Sequence, residues 1–119
     1  MPSAFNCQTF KLKYKMEKVI RDGKVAVLVS HGFGAGWYSW HSKEALLFHP
    51  KIIELVEQNK HSEITEELCQ ELLGTNEYVC VLGADGLSIH WLPIGTAFEI
   101  DEYDGAESLR TIADLVLVA

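Results

Sequence analysis

The residues with the greatest chemical potential lie in one segment, residues 30–41, which is rich in glycine and aromatic side chains. Three glycines within five residues disfavour regular structure and let backbone amides approach a bound group closely. The neighbouring aromatic side chains offer faces on which a planar molecule can stack. The segment therefore predicts an irregular ligand-binding loop, with residues 103–108 as its second wall. The candidate ligand-binding residues are Gly32, Phe33, Gly34, Gly36, Trp37, Tyr38, Trp40, His41, Tyr103 and Asp104.

A structural role for the same loop is an open alternative. In that interpretation the glycines permit a tightly packed turn, and Trp37 and Trp40 fill the core. If the rings instead form a ligand site, at least one of them should be exposed beside Tyr103 and a cation. Lys43 and Arg110 are the cations to examine, because a phosphate bound at the loop would need one of them.

Two enzyme-like motifs in this segment are incomplete. The run from His31 to Gly34 follows an apolar strand and resembles the His-Gly oxyanion motif of α/β-hydrolases, but the chain contains no Gly-x-Ser-x-Gly elbow. The glycines at 32, 34 and 36 fit neither the Gly-x-Gly-x-x-Gly nor the Walker spacing. We therefore predict no catalytic residue and no cofactor.

The histidines and cysteines form no recognisable metal-binding pattern. Cys7, Cys69 and Cys80 include no Cys-x-x-Cys pair, so free thiols are expected. The five histidines have no repeated spacing, and no metal site is predicted. His31 and His41 flank the loop and would be the catalytic candidates if the protein were a small enzyme.

Composition and charge exclude several classes of protein. The chain has 119 residues, 48% of them hydrophobic, which is typical of one globular domain. The net charge is −7; residues 1–24 hold six basic and two acidic side chains, which leaves −11 on the rest. Such an acidic body argues against non-specific nucleic-acid binding. The longest apolar runs are strand-sized and residues 1–15 lack a secretory pattern, so a cytoplasmic location without membrane contact is expected.

The pattern of apolar residues predicts an α+β fold. Residues 19–29 form a hairpin around Asp22-Gly23, and residues 50–60 and 62–74 form two amphipathic helices, the second capped by Ser62 and stopped by Gly74. Strands at 78–82, 87–92 and 96–102 form a meander. Residues 43–48 are ambiguous between strand and helical turn, and 109–112 and 115–118 form either short strands or part of a helix over 107–117. The expected architecture is a mainly antiparallel sheet, a hairpin plus a meander, with the helix pair packed on one face.

The domain organisation expected from these elements is simple. Residues 16–119 form a single domain, and residues 1–15, with alternating apolar and lysine side chains over 9–14, are an N-terminal extension or edge strand. Glu63, Glu67 and Glu71, with Glu66 beside them, form an acidic ridge on the second helix. This ridge is either a solvated face or a docking site for a basic protein.

Several longer runs together carry a family resemblance. They are residues 21–24, 32–37 (Gly-Phe-Gly-Ala-Gly-Trp), 47–50, 91–96 (Trp-Leu-Pro-Ile-Gly-Thr) and 102–108 (Glu-Tyr-Asp-Gly-Ala-Glu-Ser). Over residues 16–119 the chain resembles a family of small uncharacterised proteins of bacteriophages and bacterial genomes. The resemblance implies no activity, but a phage setting favours an accessory protein that sequesters a host signal or blocks a host protein.

The function expected from the sequence is non-enzymatic binding of a small, nucleotide-like molecule, by a protein that also forms homo-oligomers. The first alternative is an inhibitor or regulator of a host protein that acts through its acidic surface. The second alternative is a small enzyme that uses the loop histidines.

Overall fold

The computed structural model describes residues 17–32 and 34–112. The strands are β1 (Ile20–Arg21), β2 (Lys24–Ser30), β3 (Leu87–Pro93), β4 (Phe98–Tyr103) and β5 (Ala106–Thr111). The helices are α1 (Tyr38–His41), α2 (Ala45–Phe48), α3 (Pro50–Glu57) and α4 (Glu66–Leu73), and two 3-10 turns cover His61–Glu63 and Leu82–Gly86. Predicted elements at 9–14 and 115–118, together with Cys7 and Phe33, lie outside the described residues.

Strands β1, β2 and β3 form an antiparallel sheet in that order. The predicted first hairpin is confirmed: Ile20 pairs with Val25, and Asp22 and Gly23 have φ angles of 52° and 75°, as a primed turn requires. Strand β3 pairs along its whole length with β2, from Lys24 opposite Pro93 to Ser30 opposite Leu87.

The predicted strand at 78–82 is wrong, and so is its hairpin with β3. The backbone N–H groups of this segment donate to side chains instead of to a strand: Val79 to the carboxylate of Glu66 and Cys80 to the ring of His41. The chain then enters the 3-10 turn at Leu82, where Gly83 lies against the carbonyl of Gly36.

The two main helices follow the prediction with shifted ends. Pro50 begins α3, whose first turn is capped by the His49 ring, and α3 ends at Glu57 rather than near residue 60. Helix α4 ends at Gly74 in a left-handed conformation, as predicted. Its N-cap is Thr65 and not Ser62, because a separate 3-10 turn occupies 61–63 and Thr65 Oγ1 accepts from Leu68 N.

Two layers cover the sheet. One face presents Leu28 and Trp91 to α3 and α4, where Ile52, Ile53 and Cys69 are buried. This confirms the helix pair on one face. On the opposite face, Val27 packs with α2 and with the two-stranded ribbon formed by β4 and β5.

The ribbon β4–β5 replaces the third strand of the predicted meander. It turns at Asp104-Gly105, as expected, and pairs Phe98 with Thr111 and Tyr103 with Ala106. The predicted strand at 109–112 is therefore confirmed over 109–111, although it begins earlier, at Ala106, and the helix alternative is wrong over 107–111. Residues 45–48 form a helical turn, which resolves the ambiguity over 43–48.

The α+β class and the antiparallel pairing are confirmed. Cys69 and Cys80 are free and buried, as expected. Among the described residues, none of the helices combines the length and the apolar character that crossing a membrane would require.

Candidate functional site

The glycine- and aromatic-rich segment is fastened to β5 by one buried carboxylate. Glu107 is 2% exposed. Its Oε2 accepts from Trp37 N at 2.7 Å, from Ser39 N at 2.9 Å and from Ser39 Oγ at 2.6 Å, and its Oε1 accepts from Ser30 N at 3.0 Å. A carboxylate can be buried when such donors replace its water shell. Glu107 therefore holds both ends of the segment in place.

From the sequence, residue 107 was expected only within the second wall of the loop, and its role as a buried acceptor was not predicted. A signal was present, because Glu107 and Leu109 lie two residues apart on β5 and so share the face of the strand that packs inward. An acidic residue on an apolar strand face indicates a buried carboxylate with several donors.

The backbone of the segment is also in close contact with its neighbours. Gly34 N donates to Asp104 O at 2.6 Å, and His31 N donates to Gly86 O at 3.0 Å. A Cβ atom on Gly105 would overlap the backbone of Ala35. The two walls expected from the sequence do meet, but they meet as packed backbone. These amides are already bonded within the protein and are not free to hold an anion.

The glycines serve two different purposes. Gly34 has a φ of 98°, a conformation that glycine adopts readily and that other residues adopt only with strain. Gly36 has no positive φ; a Cβ on it would lie 2.6 Å from Ser39 Oγ and 2.7 Å from Trp40 Cδ1. The predicted irregularity is only partly right, because residues 38–41 form the helical turn α1.

The aromatic side chains divide between packing and exposure. Trp37 is fully buried and its Nε1 donates to Leu46 O at 2.6 Å, as the structural alternative expected. Trp40 is 45% exposed and Tyr103 is 79% exposed. Trp40 Nε1 lies 3.5 Å from Glu102 Oε2, so the polar group beside this ring is an acid and not a cation. Tyr38 is half-buried and faces a cavity on the other side of the segment.

That cavity is the most promising site for a small molecule among the described residues. Its volume is about 480 Å³, within the usual range for ligand pockets. Phe48 and Phe98 meet edge to face with centroids 6.3 Å apart. The lining residues are Lys18, Tyr38, Glu44, Leu47, Phe48, Phe98, Glu99 and Ile100.

The charges around this cavity nearly cancel. Lys18 Nζ lies 4.5 Å above the Phe48 ring, a cation–π contact. Glu99 is paired with Arg110 at 3.2 Å, and Arg110 also contacts Asp101 at 2.9 Å. Lys43, the other cation to examine, is 3.8 Å from Glu77. Both candidate phosphate-binding cations thus face carboxylates.

The loop histidines have separate surroundings. His41 Nε2 accepts from Cys80 N at 3.0 Å and so has a structural role. His31 Nε2 lies 3.1 Å from His90 Nε2, a contact that no sequence spacing indicated. Partial burial, and secondarily the neighbouring His31, hold the pKa of His90 below its usual value.

The glutamates of the predicted acidic ridge do not all lie exposed on one helix. Glu67 and Glu71 are exposed on α4, and Glu63 is exposed on the preceding 3-10 turn. Glu66 is half-buried, and its Oε2 accepts from Val79 N at 3.2 Å. This bond fastens the segment before the second 3-10 turn against α4.

Comparisons with known proteins give no relative: no family model, curated protein or solved structure matches the chain.

Proposed function

We propose that this protein binds a small planar molecule in the cavity between α2 and β4. The observation that carries the proposal is the 480 Å³ cavity, whose lining combines three aromatic side chains, Tyr38, Phe48 and Phe98, with the aliphatic side chains of Leu47 and Ile100. Ligand pockets typically combine such a lining with a few polar groups at the rim. Lys18, Glu44 and Glu99 supply those groups here.

The charge at the rim favours a ligand without net negative charge. Lys18 and Glu44 both line the cavity and have opposite charges, and Glu99 is paired with Arg110. A phosphate in this cavity would meet two carboxylates and one lysine, and Arg110 is already paired with Glu99, whereas a neutral ring would meet no repulsion. A nucleotide-like ligand is therefore proposed to bind through its base, as a nucleoside or free base.

The lining favours binding over catalysis. Its described lining residues include no histidine, cysteine or serine, the side chains that most often act as a nucleophile or as a base near neutral pH. The resemblance to phage proteins is consistent with an accessory protein that holds a host-cell molecule without transforming it. Sequestration of this kind needs affinity and no reactive group.

Calorimetric titration with adenosine, guanosine, the free bases, AMP and cyclic dinucleotides tests the proposal. We expect an uncharged member to bind more tightly than its phosphorylated counterpart. Phe98→Leu, which removes the ring and keeps an apolar side chain, should weaken binding about 5- to 150-fold if the ring stacks on the ligand. The matched control is Tyr103→Leu, an exposed aromatic away from the cavity, which should bind as wild type. Failure of the whole panel, or equal losses in both variants, would contradict the proposal.

A second candidate function is docking of a basic protein on α4 and the segment beside it. Two large apolar side chains there are well exposed, Tyr78 at 70% and Leu82 at 76%. Glu67 and Glu71 are exposed on the same helix that Glu66 ties to this segment. Exposed aromatic groups with charges at the rim are common in protein interfaces.

A test of this second function requires a purified partner protein and its measured dissociation constant. Partners captured from host cells would be produced separately and titrated with wild type and with a Glu67→Lys/Glu71→Lys double variant. A loss of tenfold or more in affinity supports docking on this surface. Unchanged affinity would exclude it as the binding surface.

A further inference from the structure

The side chains of two histidines that are distant in sequence meet beside the sheet. His90 lies on β3 opposite Val27, and His31 directly follows β2. Alternation along β2 places Val27 and Val29 toward the face of His90, and His31, one residue beyond the strand, contacts His90 there. The two Nε2 atoms are 3.1 Å apart, and the ring centroids are 5.2 Å apart at an interplanar angle of 39°.

This separation matches that of two imidazole ligands on one metal ion. Zinc–nitrogen bonds of about 2.0–2.1 Å place two ligand nitrogens about 2.9 Å apart at a right angle and about 3.4 Å apart at the tetrahedral angle. The observed 3.1 Å lies between these values. The same distance fits an N–H···N hydrogen bond between the two rings, which a bound metal ion would replace. His31 is exposed, so its ring can rotate until its nitrogen lone pair and that of His90 meet at one point beside the pair.

The other histidines differ because each has a ring nitrogen engaged with the backbone. His41 accepts from Cys80 N, His49 accepts from Lys51 N, and His61 Nε2 lies 3.0 Å from Leu87 O. Each of these contacts fixes a turn or a helix end. The contact between His31 and His90 is instead between two side chains, both of a type that binds metals well.

We propose that His31 and His90 form a two-histidine site for a late first-row divalent metal ion such as Zn²⁺ or Ni²⁺. Imidazole nitrogen suits these ions. Among the described residues no third histidine, cysteine or carboxylate completes a ligand group, so water fills the remaining positions and the ion exchanges readily. A bound ion ties the start of the glycine-rich segment to β3.

The test is a titration of isotopically labelled protein with ZnCl₂, followed by long-range proton–nitrogen spectra of the imidazole rings. We expect the Nε2 signals of His31 and His90 to shift together at one equivalent, while those of His41, His49 and His61 stay in place. Reading the ring nitrogens separates this site from metal bound to cysteine thiols. Absence of a shift at millimolar Zn²⁺, or a shift at one ring only, would overturn the proposal.

The Zn²⁺ affinities of histidine variants give an independent test of the site. His31→Gln and His90→Gln should each weaken Zn²⁺ affinity at least about tenfold, since even the loss of a supporting outer-shell partner costs metal sites 10- to 100-fold. His61→Gln is the control, because the glutamine amide can still donate to Leu87 O, and its affinity should equal that of wild type. His31 is exposed, so its variant should fold even where His90→Gln does not. Wild-type affinity in His31→Gln would contradict the proposal.

Discussion

Substitution of Glu107 by glutamine is the most informative perturbation of the fold around the candidate site. It retains the size of the side chain and one oxygen acceptor, and replaces the other oxygen by an NH₂ donor. In the wild type the two carboxylate oxygens accept four hydrogen bonds, three at Oε2 and one at Oε1. Every partner is a donor, so the new NH₂ group must face an N–H wherever it is placed.

The size of the expected loss of stability follows from the orientation of the glutamine amide that does the least damage. There the amide oxygen replaces Oε2, and the NH₂ group faces the backbone N–H of Ser30, which is fully buried. A buried donor without an acceptor costs about 1–3 kcal/mol, and the remaining bonds lose the extra strength of a charged acceptor. We expect Glu107→Gln to lower the free energy of unfolding by about 2–4 kcal/mol. This is a large part of the 5–15 kcal/mol that is typical of a domain.

Urea unfolding followed by tryptophan fluorescence measures this loss. The control is Asp101→Asn on the neighbouring strand, which weakens an exposed ion pair with Arg110 and should change the free energy of unfolding by less than about 1 kcal/mol. A shift of the midpoint at constant slope identifies a change in stability. If the two variants unfold at the same urea concentration, the role assigned to Glu107 is refuted.

Three further predictions concern the backbone at Gly105, the reactivity of the Cys69 thiol and the protonation of two histidines. Gly105→Ala should destabilise more than Gly95→Ala in thermal unfolding, because both residues have φ of 88° but only at Gly105 would a Cβ overlap neighbouring backbone; equal melting temperatures would contradict this. Cys69 should resist alkylation in the native protein near pH 8, because burial raises its thiol pKa to about 11, with a smaller contribution from Glu66. Labelling of the native protein as fast as in urea would contradict this. Burial lowers the pKa values of His49 and His90 below 6.5 in the folded protein, so the unfolded chain binds protons more readily. The free energy of unfolding should therefore fall as the pH drops below about 6.5. A urea midpoint that stays constant between pH 7.5 and 5.5 would contradict this.

Local patterns in the sequence were sufficient for most of the elements. The Asp22-Gly23 turn, Pro50 at the start of α3 and Gly74 at the end of α4 each follow from backbone preferences that act within a few residues. The α+β class followed from the order of these elements. None of these predictions required knowledge of distant contacts.

The features that the sequence did not predict depend on contacts between residues that are far apart in the chain. Residues 78–82 are apolar enough for a strand, but the side chains of Glu66 and His41 take their backbone donors. The cavity is formed by Tyr38, Phe48 and Phe98, residues from three separate segments. The sequence identified Tyr38 alone among these rings, because it lies in the segment whose composition attracted attention.

The contact between His31 and His90 was not predicted either, because it also depends on a long-range pairing of strands. The two residues are 59 positions apart, and only the register of β2 with β3 brings them together. A one-residue change in that register would place His90 on the opposite face of the sheet. Sequence spacing therefore carries no information about this pair.

The central claim, that the ligand site is the cavity and not the glycine-rich backbone, is tested most directly by amide chemical shifts during titration with the uncharged nucleosides and free bases. We predict that the amide signals of Leu47, Phe98 and Ile100 move in proportion to bound ligand, while those of Gly34 and Ala35 remain in place. Shifts confined to Gly34 and Ala35, or no shift with any member of the panel, would contradict the claim.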